Sequence, residues 1–132
     1  MRYKYTKQEA FDKVVKHLIT QGEPSVDAII GCAYQTEKGL QCAAGCLITD
    51  NETRLKAEGN WTYAVQKIPK LATIGQIDFI CNLQLAHDGA AEHQKWRALW
   101  VEEMKKLANK YKLKSGLLTK LANKDWQKES NK

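Results

Sequence analysis

Three of the chain's four cysteines, Cys32, Cys42 and Cys46, fall between Gly31 and Ile48; the fourth is Cys81. Thiolates are good zinc ligands, and a metal held by this chain would draw on Cys32, Cys42, Cys46 and Cys81. Zinc sites usually take their ligands as close pairs, and no Cys-x-x-Cys pair exists here: three residues separate Cys42 from Cys46. The spacing favours reduced thiols used as apolar filler, with no metal and no cofactor. A thiol could also act as a nucleophile, given a base to take its proton. The histidines are His17, His87 and His93, and the combination richest in chemistry is Cys42 or Cys32 with His87 and Asp88. Adjacent side chains on a helix diverge, so His87 and Asp88 are not expected to orient one another as triad partners do. The pair reads better as a helix end, where a histidine suits the negative pole. No catalytic residue is assigned on this reading; Cys42, His87 and Asp88 would be the set if there were one.

Other chemistry is absent or sparse. There is no Walker phosphate loop, dinucleotide fingerprint or His-Glu-x-x-His pair. A net charge of +6 and a pI near 9.1 favour anionic partners. The excess is concentrated late in the chain, where nine lysines from Lys105 to Lys132 face two acidic residues, Asp125 and Glu129. Lys114, Lys120 and Lys124 are the candidates there for binding a nucleic acid or nucleotide, and Tyr111 and Trp126 could stack on a base. Trp96 and Trp100, four apart, read as core. Trp61, beside Asn60 and Tyr63, is the better candidate for an exposed anchor to a partner, with core the safer reading for it as well.

These residues need elements to position them. Thr6-Lys7-Gln8-Glu9 is a capping box, and Ala10, Phe11, Val14, Val15, Leu18 and Ile19 then mark one face of a helix ended by Gly22 and Pro24. Ser25 to Ile30 reads as a linker. Gly31 to Ile48 reads as a β-hairpin turning at Glu37-Lys38-Gly39. Tyr34, Gln35 and Lys38 would lie at its edge and turn, and Ala43-Ala44-Gly45 would let another backbone approach closely. A short helix is expected from Glu52 to Glu58, then a strand-like alternation at Trp61, Tyr63 and Val65. A second capping pattern at Thr73 to Gln76 opens a nearly all-apolar, central helix ending near His87 to Gly89. A long helix from Ala90 to Tyr111 follows, and then a last one capped by Ser115. The expected fold is α+β: one β-hairpin or small antiparallel sheet packed against four to five α-helices. At this length it forms a single domain, 1–132, with 112–132 a basic C-terminal helical extension.

The run Cys32-Ala33-Tyr34, then Gly39-Leu40-Gln41-Cys42-Ala43-Ala44-Gly45-Cys46-Leu47-Ile48 and Asp50, resembles a motif of small uncharacterised bacterial and phage proteins. Glu58-Gly59, the stretch Asn82 to Asp88 and Trp96 fit the same pattern, so the resemblance covers roughly residues 8 to 111. Gln35 stands where the resemblance implies an arginine. What it implies is a fold and a phage or mobile-element setting, without a reaction.

The leading expectation is therefore a non-enzymatic binding protein, a phage or mobile-element factor that inhibits or modulates a host protein or protein–nucleic-acid complex. The second is binding of nucleic acid or a nucleotide through the lysine-rich C-terminal helices. The third is a cysteine-dependent enzyme using Cys42. No apolar run approaches the length of a signal segment or membrane span, so the expected setting is the cytoplasm of a bacterial host, with no membrane partner.

Overall fold

A computed structural model describes residues 3–27, 31–91 and 93–122, with the side chains of 27, 31 and 32 outside the description. Helix α1 spans Lys7–Gln21. It starts at a reciprocal cap: Thr6 Oγ1 accepts the Glu9 amide (3.1 Å) and Glu9 Oε1 accepts the Thr6 amide (2.9 Å). It stops at Gly22, whose left-handed φ of +79° lets its amide reach the Leu18 carbonyl. Its buried face is the six apolar residues expected from the spacing.

The segment from Gly31 to Ile48 is not a hairpin, and the fold is helical rather than α+β. Among the described residues the extended pairing amounts to a two-residue ladder, Val26–Asp27 against Gly31–Cys32, and one bridge between Gln35 and Gln41. Two residues a side make no sheet. Beyond Gln41 the backbone winds up: Cys46 N–H bonds to the Cys42 carbonyl, and Gly45–Leu47 form a 3₁₀ turn. The physical reason lies in Ala43, Ala44 and Gly45. They carry no branched side chain to favour a pleat, and a buried segment lacking a partner strand must satisfy its own backbone.

The rest is helix and turn. Helix α2 (Asn51–Lys56) and helix α3 (Trp61–Lys67) are short. The strand expected at Trp61 is helical because Asn60 caps it, accepting the Tyr63 amide at 2.9 Å. Pro69–Thr73 form a 3₁₀ turn. Helix α4 (Ile77–Ala91) begins where Gln76 Oε1 accepts the Phe79 amide (2.7 Å), three residues later than the Thr73 pattern suggested. It continues past His87 and Asp88, which lie inside it rather than at its end. Helix α5 (Trp96–Tyr111) packs along α4. Phe79 and Tyr111 meet edge to face at 4.8 Å, and Asn82 donates to the Tyr111 hydroxyl (2.7 Å). Burying Phe79 and Leu83 here is worth about 2–3 kcal/mol each.

Lys112 takes a left-handed φ of +56°, closing α5 and turning the chain back. The turn is docked on α1, where Gln8 pairs with both the amide (2.8 Å) and the carbonyl (3.1 Å) of Lys114. Residues 116–122 are again helical and bury Leu118 and Ala122 in the shared core. As far as 122, then, the chain beyond 112 is part of the packed domain. Among the described residues no helix is long and apolar enough to cross a membrane.

Candidate functional site

The polar face of α4 carries Gln84, His87 and Asp88, three and four residues apart, and all three are bonded. Ala44 N–H donates to Gln84 Oε1 (2.8 Å), and Gln84 Nε2 donates to Asp88 Oδ1 (2.7 Å). Ser25 N–H donates to His87 Nε2 (2.9 Å). An amide can only donate, so Nε2 holds the lone pair and Nδ1 the proton, which points at Asp88 Oδ1 (2.8 Å). The two neighbours do orient one another, contrary to the divergence expected from their adjacency. Gln84 draws Asp88 in from one turn back, and Ser25 sets the angle of the ring. Ser25 Oγ also donates to the Ala33 carbonyl (2.6 Å), so this stripe ties both ends of the 25–44 segment to α4.

That arrangement does not pair His87 with the Cys42 thiol. His87 is fully buried, with both ring nitrogens engaged by Ser25 and Asp88. The Cys42 thiol, fully buried, instead lies against the Gly45 amide (3.2 Å), and burial pushes its pKa far above the ordinary thiol range. Burial pushes Cys46 up to about 12, and its thiol donates to the Ala43 carbonyl (3.2 Å). Both are uncharged near neutral pH and serve the turn they sit in. Cys81 is half-buried, 3.4 Å from Thr62 Oγ1. Among the described residues no group of three or more His, Cys, Asp or Glu lies close enough to hold a metal, and the Cys32 side chain lies outside the description.

The close approach expected at Ala43-Ala44-Gly45 is made by a loop rather than a helix. A Cβ on Gly45 would sit 2.2 Å from the Tyr34 carbonyl oxygen. Tyr34 itself is buried, its hydroxyl donating to the Gly59 carbonyl (2.9 Å) and its ring tilted against Trp61 at 6.3 Å. Burial raises the Tyr34 hydroxyl's pKa. Trp61 is only 1 % exposed, so it anchors this packing and is not an exposed contact. Gln35 is half-buried and accepts from Arg54 Nη1 (2.6 Å). Arg54, a residue that sequence reasoning passed over, is buried and reads backbone carbonyls: Nε bonds to Gly45 O (2.9 Å) and Nη2 to Ile48 O. An arginine at position 35 would place two guanidinium groups together; glutamine supplies the acceptor.

Lys38 is the one of these loop residues that remains exposed, and it borders a groove of about 500 Å³. One wall is the exposed shoulder of α1, with Lys13, Lys16, His17 and Thr20 at helical spacing. The other is the Lys38-Gly39-Leu40 turn. Gly39, at φ +89°, and Thr36, whose hydroxyl accepts the Leu40 amide (3.1 Å), shape that turn. Gln21 welds the walls: its Oε1 accepts the Gln41 amide (2.8 Å) and its Nε2 donates to the Gln41 carbonyl (3.0 Å). Because that double pairing fixes Oε1 as an acceptor, His17 Nε2 at 2.9 Å must carry the proton. Burial lowers the His17 pKa, and the charges it feels from Arg54 and Lys13 are both positive. The described residues lining the groove include no carboxylate. The sequence signal for it was the Lys13, Lys16, His17, Thr20 spacing, visible as the polar face of α1. Of the C-terminal candidates, Lys114 and Lys120 are exposed and Lys124 lies outside the described residues.

No family model, curated protein or solved structure matches the chain.

Proposed function

We propose that this chain is a non-enzymatic binding protein whose working surface is the cationic groove between α1 and the 38–40 turn. One observation carries the reading: Lys16, Lys38 and His17, with Lys13 beside them, line a groove whose described lining includes no carboxylate. The Cys42 and Cys46 thiols and the His87 ring, meanwhile, are spent inside the fold. Clustered ammonium groups raise the local concentration of anions and speed their capture. With the resemblance to small phage and bacterial proteins, the partner is an anionic face of a host macromolecule, met in the bacterial cytoplasm and modulated by stoichiometric occupancy. Capture from a bacterial lysate, with and without nuclease, tests this by comparing the native chain with Lys16→Glu and Lys38→Glu. Both side chains are exposed, so the variants should fold and lose the partner. Retention of the same partner by both variants would move the working surface elsewhere, and turnover of any captured molecule would make the protein an enzyme.

A further inference from the structure

Resting on that reading, we infer that the groove recognises a terminal phosphate carried by a nucleotide, either free or at the end of a nucleic-acid strand. The charge of the site argues for this chemistry. Lys16 and Lys38 supply ammonium groups around one concavity, with the His17 imidazole on α1 beside them and Lys13 also lining it, its ammonium held by the Tyr5 hydroxyl (3.0 Å). A carboxylate or an internal phosphodiester brings one negative charge, whereas a terminal phosphate or polyphosphate brings two or more to one point. Lysine binds phosphate as a point charge, without the planar fork that suits a carboxylate to arginine, and the described residues of the lining include no arginine. The size also fits. About 500 Å³ lies within the range of small-molecule sites, and Leu40 and the methyl group of Thr20 give a ligand body apolar surface to lie on. The lining is held rigidly, because Gln21 bonds α1 to both backbone groups of Gln41, so little order need be gained on binding.

The test is calorimetric titration of the full chain at low salt with four probes: ATP, a 12-residue single-stranded oligonucleotide with and without a 5′-phosphate, and a polyglutamate peptide. The expected result is saturable 1:1 binding of ATP, of the 5′-phosphorylated strand, or of both. ATP alone would assign a free nucleotide, and a preference for the phosphorylated strand would assign a strand end. Lys16→Glu and Lys38→Glu should each weaken the binding about tenfold, the size of one charged hydrogen bond. Lys105→Glu, exposed on α5 and not a lining residue of the groove, should leave it unchanged. The inference fails if the two strands bind alike while ATP does not, if polyglutamate binds as well as ATP, or if the groove variants bind like the native chain. Steady release of ADP would overturn the non-enzymatic reading and leave the ligand chemistry standing. Capture of a macromolecule that the phosphate probes cannot displace would do the reverse.

Discussion

At Gly45 the space for a side chain is already occupied by the Tyr34 carbonyl, so Gly45→Ala must push apart two buried backbone segments. The expected cost is about 3 kcal/mol, the upper end for overpacking a core, read as a lower urea midpoint at unchanged slope. A loss below about 1 kcal/mol would mean that the Tyr34 loop gives way easily. Cys42 and Cys46 offer a second residue-level check. Buried thiols held in the protonated form attack alkylating agents slowly. Iodoacetamide at pH 8 should therefore modify them only as fast as the chain opens, and mass spectrometry of the digested protein locates the label. Rapid modification of Cys42 in the native protein would restore it as a candidate nucleophile. Arg54 shows why residue type alone misleads: a charge that normally marks a surface is here nearly buried, its fork matched to the Gly45 and Ile48 carbonyls.

Among the elements, α1 and α4 hold the protein together in different ways. The capping box and apolar stripe of α1 were legible from spacing, because both are local in the sequence. Helix α4 is largely apolar, and the polar side chains Gln84, His87 and Asp88 are the exception that matters. Gln84 and His87 accept amides of Ala44 and Ser25, 40 and 62 residues away. Replacing Gln84 with leucine keeps the volume but strands the Ala44 amide and one Asp88 contact. The change should cost about 2 kcal/mol, a typical penalty for a buried unsatisfied donor. Hydrogen exchange separates this from a general loss of stability. The Ala44 amide should exchange much faster in Gln84→Leu while α1 amides such as that of Leu18 keep their protection relative to the global unfolding limit. Equal acceleration of both would mean that α4 and the loop open as one unit.

For the molecule as a whole, His17 links the groove to pH. Its ordinary value is 6.5 and folding lowers it, chiefly through burial, with Arg54 and Lys13 adding positive charge. Between the folded and unfolded values the unfolded chain binds more protons, so stability is complete above pH 6.5 and declines as pH falls toward the folded value. Urea midpoints at pH 7.5, 6 and 5 should therefore fall more steeply for the native chain than for His17→Gln, which lacks this titration. Parallel curves would remove His17 from the acid response. A bound phosphate would counter the positive field and favour the imidazolium, so binding near pH 6 should take up more protons, or release fewer, in the native chain than in His17→Gln. That difference appears in how the calorimetric enthalpy varies with the ionisation heat of the buffer.

Sequence alone determined α1 in full and the presence of α2, α4 and α5, since caps, glycine stops and apolar spacing act within a few residues. Helix α3 reads as a strand in sequence, and the ends of α4 fall elsewhere. Only the fold set the 38–40 turn opposite Lys16, His17 and Thr20 to make a groove. The conformation of 31–48 was not legible. Small residues there permit a strand or a tight turn, and the choice was made by distant groups. Tyr34 lies across Gly45, Arg54 takes up the carbonyls of Gly45 and Ile48, and α4 supplies acceptors for Ser25 and Ala44. For the same reason Cys42, His87 and Asp88 looked like possible chemistry in sequence. Tertiary structure made them scaffold, because a buried coil must find hydrogen-bond partners wherever the chain brings them.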